Sequence, residues 1–279
     1  MSPRELSART AVYGVAGDPI AQSLSPALHM AAFEAMGVDA VSVAFRTGAD
    51  DAATVVDALR RLGVRGLSVT MPLKSRVLEH CDEVTEGAAR IGSANCLVRG
   101  DDGTVRAETT DGAGLLAAIS CVTGRGIAGL SCAVLGAGGA ARAAIAALCD
   151  AGAREVVVVA RRPDAAEAAA ALGTVARRGT PPDAAGAAVV VQATPVGMQG
   201  SDAENDTELL DGGALGDGQI AVELVYHPRV TPWLARAGSA GATCVPGVEV
   251  LVHQAALALE LWLGAPPPTE GMHLVVGAR

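Results

Sequence analysis

Two rhythms alternate along the chain. Short, mostly apolar runs ending at glycine or proline read as strands, and longer runs with apolar residues every three or four positions read as helices. AVYGVAG (11–17) is the first strand. SPALHMAAFEAMG (25–37) follows as a helix, with Ser25 as N-cap, Pro26 at the first helical position and Gly37 past the end. VSVAFRT (41–47) is a second strand, DDAATVVDALRRLG (50–63) a helix with acids first, arginines last and Gly63 as C-cap, and RGLSVT (65–70) a third strand. The alternation resumes at Asp111. DGAGLLAAISCVTG (111–124) reads as a helix, SCAVLGAGGAARAAIAALCDAG (131–152) as strand, glycine turn and helix, and EVVVVA (155–160) as a strand. ARRPDAAEAAAALG (160–173) reads as a helix. AAVVVQATP (187–195) and QIAVELVY (219–226) are continuous apolar strands of the kind buried on both faces. ATCVPG (242–247) is a short last strand and VEVLVHQAALALELWLG (248–264) a long final helix. The acidic, glycine-rich stretch 200–217 reads as a solvent loop.

Strands alternating with helices predict an α/β protein with mostly parallel sheets. With 279 residues, half of them hydrophobic, the chain can fill one large or two ordinary domains. Aromatics make up only 2%, so the cores are packed with Ala, Val and Leu. The same scarcity, with a net charge of -9, argues against a nucleic-acid partner, which needs stacking rings and clustered cations. The N-terminal MSPRELSART has no apolar run of the signal-peptide kind, and Arg142, Asp150 and Glu167 interrupt the Ala-rich stretches, so a cytoplasmic protein without membrane contact is expected. Cys81, Cys96, Cys121, Cys132, Cys149 and Cys244 form no CxxC pair and no metal-type spacing with the five histidines. They are expected to be buried and reduced, with no metal bound. His29, His80, His227, His253 and His273 show no hydrolase order, so they read as satisfied or solvated.

VLGAGGAARA, from Val134, sets Gly136, Gly138 and Ala141 in a GxGxxA pattern between a strand and a helix. The first glycine permits the turn, the second lets a pyrophosphate approach the backbone, and the small third residue lets helix and strand pack. A dinucleotide site is expected here, with Gly136, Ala137, Gly138, Gly139 and Ala140 around it. NAD enzymes usually place a carboxylate at the end of the next strand, roughly 20 residues on. This chain has Arg161 and Arg162 instead. Guanidinium groups suit a 2'-phosphate, which predicts NADP(H); the alternative is a solvated pair opening a helix.

GLSVTMPLK (66–74) starts as a strand, meets Pro72 and ends in a cation. From position alone Lys74 is either a surface residue or a proton donor at the mouth of a cleft. GDPIAQSLSPALH, SVTMPLK, IGSANCLV, TTDGAG, VLGAGGAARA, ATPVGM, VYHPRVTP and PGVEVLVHQA occur in this order. Together they make the chain similar to the shikimate dehydrogenase family over nearly its whole length. The resemblance implies two domains: an N-terminal α/β substrate domain completed by the C-terminal helix (1–110 plus 248–279) and a Rossmann-type NADP domain (111–247), with hinge closure around the ligands. It implies NADPH-dependent, reversible reduction of 3-dehydroshikimate to shikimate, in aromatic amino acid and chorismate biosynthesis, by a monomer or homodimer. Lys74 matches the family's catalytic lysine and Asp111 the aspartate paired with it. Ser23 and Ser25 match the serines that bind the substrate carboxylate, though Ser25 could equally be a simple cap. Thr70, Asn95 and Gln254 match positions that bind ring hydroxyls; an unpaired Gln254 amide on an apolar helix face would otherwise be costly. Tyr226 and Gly247 match residues between nicotinamide and substrate. Thr194, Val196 and Met198 resemble nicotinamide-pocket residues, with core packing an equal reading of the apolar two.

Three departures matter. Ser68 and Thr109 stand where the family commonly has asparagine, and Cys96 where it has threonine. At the adenosine end Ala160 replaces the usual asparagine before Arg161-Arg162. The altered wall near Lys74 leaves quinate or an amino analogue of shikimate as alternative substrates, and a non-catalytic nucleotide-binding module as the alternative of another class.

Overall fold

A computed structural model of the chain describes residues 6–277. Met1–Glu5, half of the N-terminal stretch read for leader features, and Ala278–Arg279 lie outside the described residues. The chain divides into two compact units: residues 1–89, 94–108 and 255–279, and residues 90–93 with 109–254.

The first unit is built on a six-stranded sheet. β1 (Ala11–Gly17) pairs in parallel with β2 (Ala40–Arg46) and β3 (Gly66–Val69). β4 (Glu83–Val84), β5 (Cys96–Arg99) and β6 (Val105–Glu108) complete the order β2-β1-β3-β5-β6-β4. β5 alone is reversed, antiparallel to both β3 and β6, while β4 pairs in parallel with β6, so the sheet is mostly parallel, as the pattern of alternation predicts, with one strand turned back. The helices before Asp111 are α1 (Ser25–Ala35), α2 (Ala52–Leu62) and α3 (Glu86–Ile91). On one face of the sheet Val55, Val56 and Leu59 of α2 pack with Leu67, Val69, Leu97 and Val105. On the other, Tyr13, Phe33 and Trp262 cluster with centroids 5.1 and 5.3 Å apart. A Cβ at Gly66 would fall 2.5 Å from the Trp262 indole nitrogen, so only glycine leaves room for that ring. The indole N–H donates to the Leu97 carbonyl (3.0 Å).

Two helix ends differ from expectation. Ser25 is the first helical residue and caps nothing with its side chain. Instead the Ser23 hydroxyl accepts from the Ser25 N–H (3.3 Å), and Pro26 has no N–H to satisfy. The acids before α2 sit in a short 3-10 turn (Ala49–Asp51), where the Asp51 carboxylate accepts the Gly48 N–H (2.7 Å). Gly63 does end α2 in the left-handed conformation, φ +69°.

The second unit carries β7 (Ser131–Leu135), β8 (Glu155–Val159), β9 (Ala176–Arg178), β10 (Val189–Gln192), β11 (Ile220–Glu223) and β12 (Thr243–Val245). Their order is β12-β11-β10-β7-β8-β9, all parallel, which is the doubly wound dinucleotide-binding arrangement. The helices from Asp111 on are α4 (Asp111–Thr123), α5 (Gly139–Asp150), α6 (Pro163–Ala170), α7 (Pro181–Ala185), α8 (Pro232–Ser239), α9 (Gly247–Leu263) and α10 (Glu270–Gly277). The division between the units falls inside α9, after Gln254, and α10 packs on α1 in the first unit. One face of the second sheet is covered through Leu115, Ile119, Ile145 and Leu148, the other through Trp233, Leu234, Leu210 and Leu215. The stretch 200–217 is therefore not wholly a solvent loop. Leu210 and Leu215 are buried, and the Trp233 indole N–H donates to the Leu210 carbonyl (3.0 Å). None of the described helices is long and apolar enough to cross a membrane.

Candidate active site

In the first unit the expected substrate residues gather at the carboxyl ends of β1 and β3. The Thr70 N–H donates to the Ala16 carbonyl (2.9 Å) and the Asp18 N–H to the Met71 carbonyl (2.8 Å), binding the two strand ends together. A Cβ on Gly17 would meet Thr70 Cγ2 at 2.3 Å, and its φ of +157° also favours glycine, so the strands converge here only because that residue has no side chain. Ser23 and Ser25 follow β1, with Ser23 half-buried and Ser25 buried.

Lys74 lies in the turn after β3, half-buried, and two backbone bonds hold that turn to the start of β5: Ala94 N–H to Lys74 O and Val69 N–H to Asn95 O, each 2.8 Å. β5 runs antiparallel, so its first residue neighbour, the buried Asn95, reaches the same end of the sheet as Thr70 and Lys74. Carboxyl ends of strands are where open α/β sheets bind ligands. Ser68, in β3 two residues before Thr70, is buried, and its hydroxyl has no hydrogen-bond partner among the described residues.

In the second unit, Gly136 leaves β7 at φ +127°, and its N–H donates to the Val159 carbonyl (2.8 Å), so the turn lies against the end of β8. Gly138 caps α5, and a Cβ there would meet nothing within 4 Å. Bare backbone at a helix N-terminus facing open space fits a pyrophosphate. Ala137 and Ala140 are half-exposed, Gly139 opens the helix, and the buried Ala141 packs in the core as the small third residue should.

At the end of β8, Arg161 is paired with Asp206 (2.9 Å), while Arg162 makes no ion pair among the described residues. Both are exposed and fit a 2'-phosphate, and the chain itself carries no acid between Glu155 and Asp164, where an NAD enzyme would place its ribose-binding carboxylate. The partner Asp206 comes from the acidic stretch and has no counterpart in the sequence reading.

The end of β10 is held by Gln192, buried, whose Oε1 accepts both the Thr194 N–H (3.0 Å) and the Thr194 hydroxyl (2.8 Å). Val196 is buried, in line with a packing role, while Met198 is half-exposed. At the end of β11, Glu223 is fully buried. Its carboxylate accepts the Val225 N–H (3.0 Å) and the Thr231 hydroxyl (2.7 Å), tying down both ends of the segment that carries Tyr226. Burial lifts this carboxyl to about 7, opposed by the Val225 N–H, the Thr231 hydroxyl and the Leu224 N–H. No motif flagged Glu223 or Gln192; a lone acid and a lone amide at the ends of otherwise apolar strands were the available signals.

Gly247 lies against the same segment. A Cβ would come 2.2 Å from the Val225 carbonyl oxygen and 3.0 Å from the Tyr226 nitrogen, so glycine is required where α9 starts. Asp111 is the first residue of α4, where a helix N-terminus favours a carboxylate. Gln254 is half-buried on α9, and its amide donates to the Leu251 carbonyl (3.0 Å), so this group does not depend on a ligand for a partner, contrary to expectation. A Cβ on Gly114 would meet Gln254 backbone at 2.7 Å, which makes α4 and α9 close neighbours.

Cys96 and Cys132 are buried as expected, but Cys81, Cys149 and Cys244 are only partly so and Cys121 is exposed. Burial pushes the Cys81 thiol up to about 11 and the Cys132 thiol up to about 12, which makes both inert. His29 is a core residue only half satisfied: its Nδ1 lies 2.8 Å from the Ser42 hydroxyl and its ring is edge-on to Trp262, but its buried Nε2 has no hydrogen-bond partner among the described residues. His253 departs from the bland reading, because the fold brings it beside Cys121 and Glu249.

The family model of the shikimate dehydrogenase substrate binding domain matches residues 15–97, and that of the shikimate 5'-dehydrogenase C-terminal domain matches residues 247–273. A shikimate dehydrogenase (NADP(+)) of Methanothermobacter thermautotrophicus is 37% identical, with 96% of each chain covered. The crystal structure of shikimate 5-dehydrogenase from Thermus thermophilus in complex with NADP(H) and shikimate superposes with a TM-score of 0.87 at 34% identity, covering 96% of this chain and 99% of that one. A quinate dehydrogenase from Corynebacterium glutamicum in complex with NAD gives a TM-score of 0.86 at 28% identity, covering 97% of this chain and 99% of that one. Similarity of this extent, from the strand ends of the first unit to the last helix, places the chain in the shikimate dehydrogenase family.

Proposed function

We propose that the protein is an NADP-dependent shikimate dehydrogenase that interconverts 3-dehydroshikimate and shikimate. The observation that carries the reading is its 37% identity, across 96% of both chains, to a relative named for that reaction. The geometry supports it. One unit offers hydroxyl, amide and ammonium groups at the ends of β1, β3 and β5, as a polyhydroxy acid requires. The other offers a bare glycine turn with two arginines at the end of the next strand, as NADP requires.

When bound, NADPH supplies the hydride that adds to the ring ketone carbon. The resulting charge on oxygen needs a proton, and Lys74 is the group that gives it in reduction and takes it back in oxidation. Asp111 fixes the ammonium group and a ring hydroxyl. Ser23 and Ser25 hold the substrate carboxylate, Thr70, Asn95 and Gln254 hold ring hydroxyls, and Tyr226 and Gly247 shape the wall between ring and nicotinamide. Gly136, Ala137, Gly138, Gly139 and Ala140 cradle the pyrophosphate, Arg161 and Arg162 the 2'-phosphate, and Thr194 and Met198 the nicotinamide side. The same reading has the enzyme at work in the cytoplasm as a monomer or homodimer.

The quinate dehydrogenase of the same fold gives a second reading, to which Ser68 and Thr109 are relevant because they alter the polar wall near Lys74. Following reduced nicotinamide while the protein oxidises shikimate or quinate, with NADP and NAD tried separately, decides between them. Fastest turnover with shikimate and NADP is expected. Faster turnover with quinate would move the assignment to that acid, and no turnover with either would defeat both readings.

A further inference from the structure

We propose that Cys121, Glu249 and His253 form a three-ligand site for one zinc-class divalent ion, pinning α4 to α9. The Cys121 Sγ, a Glu249 carboxylate oxygen and a His253 ring nitrogen all lie within 4.8 Å of one another. Glu249 and His253 are four residues apart on one helix, so they share a face, and Cys121 comes from the last turn of α4.

The two helices are held at close range where Gly114 meets Gln254, so the donors project from rigid elements and not from loops. Zinc–sulfur and zinc–nitrogen bonds of roughly 2.0–2.3 Å put tetrahedral ligands ~3.5 Å apart. Side-chain rotations that draw the three atoms together by ~1 Å therefore complete the set. A thiolate with an imidazole and a carboxylate selects zinc-like ions and disfavours magnesium and calcium, which take oxygen ligands only. Three protein ligands leave a fourth position for water.

The site lies apart from the glycine turn and from Lys74 in sequence, and Cys121 falls outside both segments that the family models match. Its consequence for the enzyme is mechanical. α4 begins at Asp111 and Gln254 directly follows His253, so a bound ion fixes the helix pair that carries both residues.

The test uses the full chain, reduced and freed of metal, titrated first with Co2+ and then with Zn2+. One Co2+ per chain with a thiolate-to-cobalt charge-transfer band is expected, displaced by one Zn2+, with a Tm that rises with Zn2+ concentration. Cys121→Ser should remove the band and weaken zinc by about tenfold or more, and Glu249→Gln should weaken it while keeping the band. A metal-free Tm equal to that of the parent shows that either variant is folded. Cobalt binding without the band, or equal zinc affinity in the parent and Cys121→Ser, would overturn the proposal.

Discussion

The second sheet runs every strand in one direction between two helical layers, whereas the first turns back through the β5–β6 hairpin and ends on the two-residue strand β4. Strands buried on both faces must be apolar along their length, and VVVQ and EVVVV in the second sheet are valine except at one end, Gln192 and Glu155. The hairpin strands CLVR and VRAE carry Arg99, Arg106 and Glu108 and show partly buried positions. The units also bury titratable groups of opposite sense, His29 in the first and Glu223 in the second. Sheet architecture thus decides what each unit leaves at its strand ends: a set of polar side chains in the first, bare backbone and a buried carboxylate in the second.

Substitutions should separate the units functionally. The largest effect is expected from Gly138→Leu, which fills the space over the α5 N-terminus. NADPH affinity should fall about 100-fold, or ~2.7 kcal/mol, by calorimetry, with Tm and shikimate binding unchanged because nothing contacts that position. Equal loss of both ligands would erase the distinction between the units.

Arg162→Ala should raise the Michaelis constant for NADPH by about tenfold and leave NADH unaffected, the worth of a charge-assisted contact. Arg161→Ala should do less, since that guanidinium already has Asp206 as partner.

The buried groups give opposite pH dependences. Burial lowers His29 from 6.5 to about 3, so the unfolded chain binds the extra proton and stability rises with pH across that window. Glu223 is raised from 4.5 to about 7, so the native state holds the extra proton and stability falls as pH rises across that window. Between about 4.5 and 6.5 the two slopes, each about 1.4 kcal/mol per pH unit at most, offset one another. In urea unfolding at a series of pH values, Glu223→Gln should expose the rising slope and His29→Gln the falling one. Parallel profiles for the parent and both variants would refute the assignment.

The smallest effect is expected at Ser68. Its buried, unpartnered hydroxyl makes Ser68→Ala neutral or stabilising by about 1 kcal/mol in the free protein, while shikimate binding weakens if the ring acid is its partner.

Much of this was legible in the sequence. The GxGxxA turn, the valine-rich strands, Gly63 and the alternation all report local chemistry, and the structure has them. The β5–β6 hairpin was missed because its strands are four residues long and carry charges, which mimic loops. Ser25 was misread as a cap because Ser23, two residues earlier, supplies the oxygen. Glu223 looked like one acid in an apolar run, and only the fold brings Thr231 to it. Cys121 and His253 meet by helix packing, which no spacing rule encodes.

The central claim is that Lys74 moves the proton while other residues bind the ligands. It is tested most directly by Lys74→Ala, comparing the turnover number for shikimate oxidation with calorimetric binding of shikimate and NADP. A fall in kcat of about 10²–10⁴-fold with both affinities within a few-fold of the parent is predicted. Near-parental kcat, or loss of binding that accounts for the whole defect, would contradict it.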